Sequence, residues 1–221
     1  MLILRRAVIC LLISAITIAA HASNTIEVPR GSAITLDGRL SDDEWAAAAR
    51  QELVGGGEVR FKHDGAHLFI GVRGANRGWS HIYVPDGESI HVLHASAALG
   101  TAIYRRSGDA WQPVQSFQWA MRDRSMSEQA MAARESFLKS TGWVASTNGM
   151  GAGNEIEFKI SRSFLKGASP RIAVLYASDP KSPAYWPGSL TDDCLKEKLI
   201  FGTTPNDLKF NTSVWATIEF K

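Results

Sequence analysis

The stretch Ile34–Ala46, ITLDGRLSDDEWA, contains the local signals that decide how the chain folds. Asp37-Gly38 is a pair typical of tight turns, because glycine tolerates backbone angles that other residues avoid. Ser41 is a preferred helix-capping residue, and Glu44 follows it at the spacing of a capping box. Since an alanine run comes next, the pattern predicts a short helix over residues 41–51.

Most of the remaining sequence has the alternation of apolar and polar residues that is typical of half-buried strands. The runs Val59–Lys62 and His67–Arg73 flank Asp64-Gly65, a pattern that predicts a hairpin. Glu155–Ile160 alternates cleanly and places its apolar residues on one face. Further strand candidates are residues 80–84, 89–95, 100–106, 111–119, 170–177 and 214–220. Many short strands separated by Gly, Asp and Pro turns predict an all-β sandwich or barrel.

One segment interrupts this β pattern, and it predicts a helix over residues 125–139. Ser125 and Glu128 have the spacing of a capping box, and Gly142 follows the end of the segment. The residues of its irregular apolar face are Met126, Ala130, Phe137 and Leu138. We expect this helix to be an insertion that lies against the sandwich.

The Asp37-Gly38…Trp45 element resembles the opening of family 9 carbohydrate-binding modules and their DOMON-like relatives, where I-D-G-x-L-x-(D/E)-x-x-W leads from a strand into a short helical turn. Glu155–Leu165 resembles their late strand and I-P-x-x-x-L turn, with Ser161 in place of proline. The resemblance implies an all-β, two-sheet antiparallel sandwich of jelly-roll type, formed by residues 23–221 as a single domain. It also implies carbohydrate binding or, as in other DOMON-like domains, haem binding.

The N-terminal segment has the features of a secretory signal peptide. Arg5 and Arg6 form the basic region, Ala7–Ala20 is the apolar run, and Ala20-His21-Ala22 supplies small residues for cleavage. The apolar run is shorter than the roughly 20 residues that span a bilayer. We therefore expect residues 1–22 to be removed and the protein to be periplasmic or secreted, without a membrane anchor.

Charge and cysteine content exclude further classes. Removal of residues 1–22 takes away two of the 24 Lys and Arg residues, which leaves 22 basic residues against 22 acidic ones. A neutral chain offers no basic stripe for nucleic acid or anionic lipid. Cys194 is then the one remaining cysteine, so we expect a buried thiol, the alternative being a disulfide between chains.

Aromatic residues provide the candidate ligand site. Tyr185 and Trp186 lie in a Pro/Gly-rich stretch where a functional loop is expected. Trp79 follows a glycine just before a predicted strand, and Arg105 is the polar residue that we pair with these aromatics. A sugar ring can stack on an exposed indole while polar groups bind its hydroxyls. We therefore predict a carbohydrate-binding site of Trp79, Arg105, Tyr185 and Trp186, the competing interpretation being that both tryptophans are ordinary packing residues.

Histidines and acidic residues are the candidate metal ligands of this sequence. His63 and His67 flank the hairpin turn but have no clear third ligand. His91 and His94 are three apart, so on a strand they point to opposite faces. Structural calcium could use acidic pairs, although none has the spacing of a calcium loop. Those acidic residues are Asp42, Asp43, Asp192 and Asp193. We expect no metal site.

Two alternatives to carbohydrate binding remain open. A DOMON-like haem carrier would need axial side chains such as Met with His. The candidates are Met121, Met126, Met131, Met150, His81, His91 and His94. An envelope accessory protein would instead dock a protein partner on the sandwich face and the inserted helix. Hydrolase, phosphate-loop and zinc-protease motifs are absent, so the favoured prediction is an exported, non-catalytic carbohydrate-binding protein without a cofactor.

Overall fold

The structure is a computed structural model that describes residues 24–121, 125–148 and 153–221. Within these residues the elements are β1 (Thr25–Val28), α1 (Asp42–Trp45), β2 (Ala49–Glu52), β3 (Glu58–His63), β4 (His67–Arg73), β5 (Trp79–Asp86), β6 (Ser89–Ala95), β7 (Ala98–Ser107), β8 (Ala110–Met121), α2 (Glu128–Thr141), β9 (Trp143–Thr147), β10 (Glu155–Ser161), β11 (Arg171–Ala177), β12 (Ala184–Trp186), α3 (Glu197–Ile200) and β13 (Ala216–Phe220). The signal-peptide segment lies outside the described residues, so its cleavage stays a prediction.

The described strands form two sheets. The eight-stranded sheet has the order β1-β13-β11-β5-β6-β7-β8, and β12 pairs with β11; the five-stranded sheet has the order β2-β3-β4-β10-β9. Neighbouring strands are antiparallel, apart from β1 and β13, which are parallel. The prediction of an all-β, two-sheet sandwich is confirmed.

The main core lies between the two sheets. β10 shows why: Ile156, Phe158 and Ile160 are fully buried on its inner face, as their alternation predicts. Burying each such side chain stabilises the fold by about 1.5–3 kcal/mol. The predicted hairpin is also present, with β3 and β4 joined through Asp64-Gly65.

The Ile34–Ala46 segment crosses the outer face of the five-stranded sheet. Trp45 has no exposed surface and packs there in a small cluster with Phe69. Gly38 has a φ of 84°, and a Cβ on it would lie 2.1 Å from the Thr147 carbonyl carbon. Only glycine therefore fits at this turn, which explains the Asp-Gly pair in structural terms.

The prediction of a helix over residues 41–51 is wrong beyond Trp45, where α1 ends. Ala49–Glu52 instead forms β2, an edge strand whose backbone pairs with β3, because the sheet edge offers hydrogen-bond partners that outweigh the helix propensity of alanine. Glu44 does not close a capping box either. Its Oε1 accepts a hydrogen bond from the Thr35 N–H, 2.9 Å away.

The inserted helix is present as α2 and packs on β9 and β10. It begins at Glu128, three residues later than predicted, with Ser127 as its cap, and it ends at Thr141, which is followed by Gly142 in the left-handed conformation. Met126 was expected on the apolar face, but it precedes the helix and is 46% exposed. Arg134 occupies one of the buried positions of α2 instead.

Two further expectations concern membranes and the thiol. None of the helices within the described residues is long and apolar enough to span a membrane. Cys194 is buried with no exposed surface, as expected, and burial raises the pKa of its thiol.

Candidate functional site

The two tryptophans predicted to form one slot lie on opposite faces of the eight-stranded sheet. Trp186 belongs to β12 and points into the core between the sheets, where it is 7% exposed and its ring centroid is 4.9 Å from that of Phe61. Trp79 points to the outer face, where its indole N–H donates to the Ile200 carbonyl at 2.9 Å. The expectation of an exposed loop at Trp186 is wrong because this segment pairs with β11 as a strand.

The other two predicted residues lie apart from both tryptophans. Tyr185 is half-buried on the outer face, and its backbone bridges to Val54. Arg105 is exposed near the far end of β7. The structure therefore does not bring Trp79, Arg105, Tyr185 and Trp186 together, and their joint role as a ligand site stays a prediction.

Trp186 does border a polar cleft of about 530 Å³ at the end of the sandwich. The residues that line it include the charged Arg50 and Glu52 of β2 and the polar Asn24. The Asn24 amide donates to the Val214 carbonyl at 3.0 Å. Because Trp186 is almost wholly buried, it offers this cleft little surface on which a ligand could stack.

A different group of aromatic side chains lies at the surface, and we call it the aromatic surface: Trp79, Phe117, Trp119 and Phe201. Trp79 is partly exposed, and Phe117 is buried against Trp119 with 7% of its surface exposed. Trp119 is 51% exposed and Phe201 is 58% exposed. The rings of Phe117 and Trp119 are stacked at 5.1 Å with an angle of 22° between them, and those of Trp79 and Phe201 are 6.4 Å apart. Side chains of this size are usually buried, so a cluster of them at the surface calls for a functional explanation.

Strand register explains where Trp119 lies. Across β5, β6, β7 and β8 the paired residues are His81, His94, Gly100 and Trp119, and this row faces outward. Because Gly100 has no side chain, the indole leans across β7 to His94, with 5.0 Å between ring centroids. A Cβ on Gly100 would lie 2.7 Å from the Trp119 ring.

The chain over residues 190–215 covers the rest of this outer face. Leu190, Leu199, Leu208 and Phe210 are buried against it in a second core cluster. This covering segment leaves Trp119 half exposed. Its Gly202 lies against one edge of the Trp119 indole, and Gly100 of β7 lies against another. The Trp119 indole thus lies between a strand glycine and a loop glycine, and half of its surface is open to solvent.

Polar groups border the aromatic surface. The hydroxyls of Ser116 and Thr204 are 3.1 Å apart at its exposed edge. Beneath Trp119, the His94 Nε2 lies 2.9 Å from the Ser96 hydroxyl. Hydroxyl and imidazole groups beside apolar rings are what a ligand with both C–H faces and hydroxyls requires.

The histidines considered as metal ligands are used within the fold. His63 Nε2 lies 2.8 Å from the Lys221 carbonyl oxygen, and its Nδ1 accepts the Gly65 N–H at 3.1 Å. His67 Nδ1 lies 3.2 Å from an Asp64 carboxylate oxygen. His91 and His94 do point to opposite faces. No group of three metal-ligating side chains occurs among the residues that the structure describes.

The haem and calcium candidates have other partners. His81 and His94 are hydrogen-bonded to each other. Met126 and Met131 are exposed on the α2 side, at a groove that Lys159 of the five-stranded sheet also lines; Met150 and the Met121 side chain lie outside what is described. Asp192 uses one carboxylate oxygen to accept the Trp215 indole N–H at 2.7 Å, so it stabilises the loop.

The side of the molecule around α2 offers a smaller groove of about 290 Å³. Met126 and Met131 line it, but so do the charged side chains of Arg134, Glu135 and Lys159. An ion pair joins Lys159 and Glu135 at 3.1 Å. The groove thus combines apolar side chains with an ion pair.

Comparison with known proteins gives two structures of similar fold. No protein-family model and no curated protein sequence matches the chain. A protein from Bacteroides uniformis, provisionally described as carbohydrate-binding, is 13% identical with a TM-score of 0.49, over 89% of this chain and 99% of its own. A family 9 carbohydrate-binding module from Caldicellulosiruptor kristjanssonii, in complex with cellotriose, is 12% identical with a TM-score of 0.45, over 89% and 93%.

Proposed function

We propose that the protein binds carbohydrate through the aromatic surface on the outer face of its eight-stranded sheet. The observation that carries this proposal is the half-exposed Trp119 indole, fixed between Gly100 and Gly202 with Phe201 beside it. A fixed ring loses little conformational entropy when a ligand stacks on it. A sugar presents a flat face of C–H groups to such a ring.

The surroundings of the aromatic surface fit an uncharged, hydroxyl-rich ligand. Ser116 and Thr204 place hydroxyl groups at its edge, and Ser96 lies beside it. The chain carries a formal net charge of +2, and of 0 without residues 1–22. Nothing in this balance would steer a strongly charged partner. The sequence resemblance to family 9 modules supports the same ligand class.

We also propose that this binding takes place outside the cytoplasm and needs no cofactor. The support for export is the basic, apolar and small-residue succession over residues 5–22. A pulse of labelled precursor expressed in a Gram-negative host should yield a mature form that starts near Ser23. A full-length form retained in the cytoplasm would contradict this part of the proposal.

The binding test is titration calorimetry of the purified protein against soluble cello-, xylo- and manno-oligosaccharides. We expect one class to bind, and Trp119→Ala to weaken that binding at least tenfold, which is about 1.4 kcal/mol, since the stacking surface is lost. Val114→Ala is the matched control, because Val114 is a similarly exposed side chain on the same strand. Equal affinity in Trp119→Ala, or no binding by any oligosaccharide, would show the proposal to be wrong.

A further inference from the structure

A chain of hydrogen bonds runs from the interior of the protein to the aromatic surface. Tyr83 donates its hydroxyl proton to the Cys194 carbonyl at 3.1 Å. His81 Nδ1 lies 3.2 Å from the Tyr83 hydroxyl, and His81 Nε2 lies 2.7 Å from His94 Nδ1. His94 Nε2 lies 2.9 Å from the Ser96 hydroxyl. Ser96 is partly exposed, and its hydroxyl also contacts the Ala98 backbone, donating to the carbonyl at 3.3 Å and accepting the N–H at 3.3 Å.

The first bond of this chain sets the direction of the others. Because Tyr83 gives its proton to a carbonyl, its oxygen accepts from the Nδ1–H of His81. The Nε2 of a neutral His81 then carries a lone pair, which accepts the Nδ1–H of His94. In this arrangement the Nε2 lone pair of His94 faces the Ser96 hydroxyl, the tautomer that a general base needs. The Ser96 proton then turns from the Ala98 carbonyl, 3.3 Å from the hydroxyl oxygen, to the closer His94 Nε2 at 2.9 Å.

The environment keeps both imidazoles neutral. His81 has no exposed surface and His94 is 6% exposed. Burial lowers the pKa of His94 to about 4, and burial together with the neighbouring His94 lowers the pKa of His81 further. His81 is the titratable group in contact with His94, whose other ring neighbours are the side chains of Phe117 and Trp119. At neutral pH the lone pair of His94 is available to accept a proton.

The partly exposed serine lies next to the proposed ligand. Ser80 on β5 pairs with Ala95 on β6, so the next residues in this register are Trp79 and Ser96. The indole of Trp119 rests on the edge of His94. Ser96 thus follows the strand pair next to Trp79 and is hydrogen-bonded to the imidazole that the Trp119 indole contacts.

A nucleophile hydrogen-bonded to a base that is in turn oriented by a third group is the arrangement of serine hydrolases, and it recurs on unrelated folds. We propose that Ser96 and His94 are catalytic residues, with His81 as positioning residue, for hydrolysis of an ester on a ligand bound at the aromatic surface. The ligand part of this inference rests on the proposed function. It departs from the sequence-based expectation of a non-catalytic protein.

The proposed reaction is acyl transfer to Ser96 followed by hydrolysis. The Ser96 oxygen attacks the ester carbonyl carbon while His94 Nε2 takes the hydroxyl proton. When the ester C–O bond breaks, His94 returns this proton to the leaving alcohol, and the acyl group remains on Ser96. Water then repeats both steps, so that ester and water yield carboxylic acid and alcohol. An O-acylated carbohydrate is the substrate class that this surface would take.

The first test is covalent labelling of the intact protein with a fluorophosphonate, in which the Ser96 oxygen would displace fluoride from phosphorus. This probe does not require the aromatic surface, so it reports on the serine even if no oligosaccharide binds. We expect one adduct, located at Ser96 by mass spectrometry. His94→Gln should slow the labelling about 100-fold, the lower end of what a general base supplies. The labelling rate should be level from about pH 6 to 8 and fall below pH 5, as His94 takes up a proton.

Matched variants separate catalysis from folding. Ser96→Ala should abolish the adduct, whereas Ser107→Ala should leave it unchanged, because Ser107 is an exposed serine of the same sheet at the far end of β7. His81→Gln retains an oxygen near the position of Nε2 that can accept the His94 N–H. It should keep much more of the labelling rate than His81→Leu, with circular dichroism confirming that both variants fold.

The outcomes distinguish this inference from the proposed function. A wild-type protein that binds oligosaccharide but forms no adduct at Ser96 would overturn the catalytic inference alone. Equal labelling of wild type and His94→Gln would do the same. If labelling succeeds, release of acetate from acetylated xylo-oligosaccharides should be slower in Trp119→Ala than in the wild type. Acetate release that is unaffected in Trp119→Ala would overturn the assignment of the ester to a ligand on the aromatic surface.

Discussion

Glu157 shows how one buried side chain fixes the N-terminal segment to the five-stranded sheet. It has no exposed surface, and its two carboxylate oxygens accept the Gly38 N–H at 2.7 Å and the Trp45 indole N–H at 3.0 Å. Lys62 lies nearby, with its ammonium group 5.6 Å from the centroid of the Trp45 ring. Burial nevertheless dominates and raises the pKa of Glu157 to about 8, from a usual value of 4.5.

This raised pKa predicts a pH dependence of stability that Glu157→Gln removes. Between the two pKa values the folded state binds more protons than the unfolded state, so the contribution is complete below pH 4.5 and is lost as pH rises through about 8. The free energy of unfolding of the wild type, relative to that of Glu157→Gln, should therefore fall from pH 5 to pH 8. The slope should not exceed about 1.4 kcal/mol per pH unit.

Urea unfolding at several pH values measures this difference. Glu135→Gln is the control, because the Glu135 side chain is 55% exposed and pairs with Lys159 at the surface; it should reproduce the wild-type profile. A constant difference between wild type and Glu157→Gln across this range would refute the prediction.

At the level of single residues, the predicted site included one member of the aromatic surface, Trp79, but not Trp119. Trp79 is a predicted ligand-site residue, and the structure places it beside Phe201 and not beside Trp186. Trp119 could not be assigned to a face, because register shifts occur between β7 and β8 around Ile103, and a shift of one residue reverses the side to which side chains point. Nor does any known motif mark Ser96, because His94 precedes it by two residues while His81 is brought in by the pairing of β5 with β6.

The element that places Trp119 is β7, where Gly100 leaves room for the indole. This glycine is required for space alone, because its φ is not positive. A Cβ there would lie 2.7 Å from the Trp119 ring and 3.2 Å from Phe117 Cδ1, which is closer than van der Waals contact allows. Since Trp119 is half exposed, it can move outward to relieve the overlap.

We expect Gly100→Ala to displace the Trp119 indole while the domain stays folded, with a change in unfolding free energy below about 1 kcal/mol. Acrylamide quenching of tryptophan fluorescence should increase, and this increase should be absent when Gly100→Ala is made in a Trp119→Phe background. Gly188→Ala is the control, because its added methyl group would meet only an ordinary contact with Val54, 3.5 Å away. Unchanged quenching in Gly100→Ala would mean that the glycine does not position the indole.

Elements with a clear alternation were predicted well, whereas those that depend on distant partners were not. The hairpin of β3 and β4 and the strand β10 were correct because local pattern and burial agree. The alanine-rich run at Ala46–Ala49 favoured helix by propensity, yet β2 forms from its end because β3 supplies backbone partners. The sequence predicts a loop at β12 because proline and glycine flank Tyr185 and Trp186, whereas the structure has a strand there.

At the scale of the whole molecule, stability comes from the packing of two sheets, and Trp186 is part of that packing. Its ring lies against Phe61 of the five-stranded sheet. The pattern of short strands predicted a sandwich or a barrel, and the resemblance carried by the Asp37-Gly38…Trp45 element implied the two-sheet architecture. Neither could predict which face of a sheet each aromatic residue occupies, because that depends on pairing register between strands far apart in sequence.

We therefore expect Trp186→Ala to act on stability and not on the aromatic surface. Removal of a buried tryptophan should lower the free energy of unfolding by about 3–5 kcal/mol, measured by urea denaturation. Trp119→Ala, which removes an exposed tryptophan, should lower it by less than about 1 kcal/mol. Similar losses in the two variants would contradict the placement of these residues on opposite faces.

The parallel pairing of β1 with β13 has a mechanical consequence. Thr25 is beside Thr217 and Val28 is beside Phe220, so the two strands run in the same direction at one edge of the sandwich. A force that pulls on residue 24 and residue 221 in opposite directions would slide these strands along each other. All the hydrogen bonds between them would then share the load at once, whereas an antiparallel pair pulled from adjacent ends would open one bond at a time.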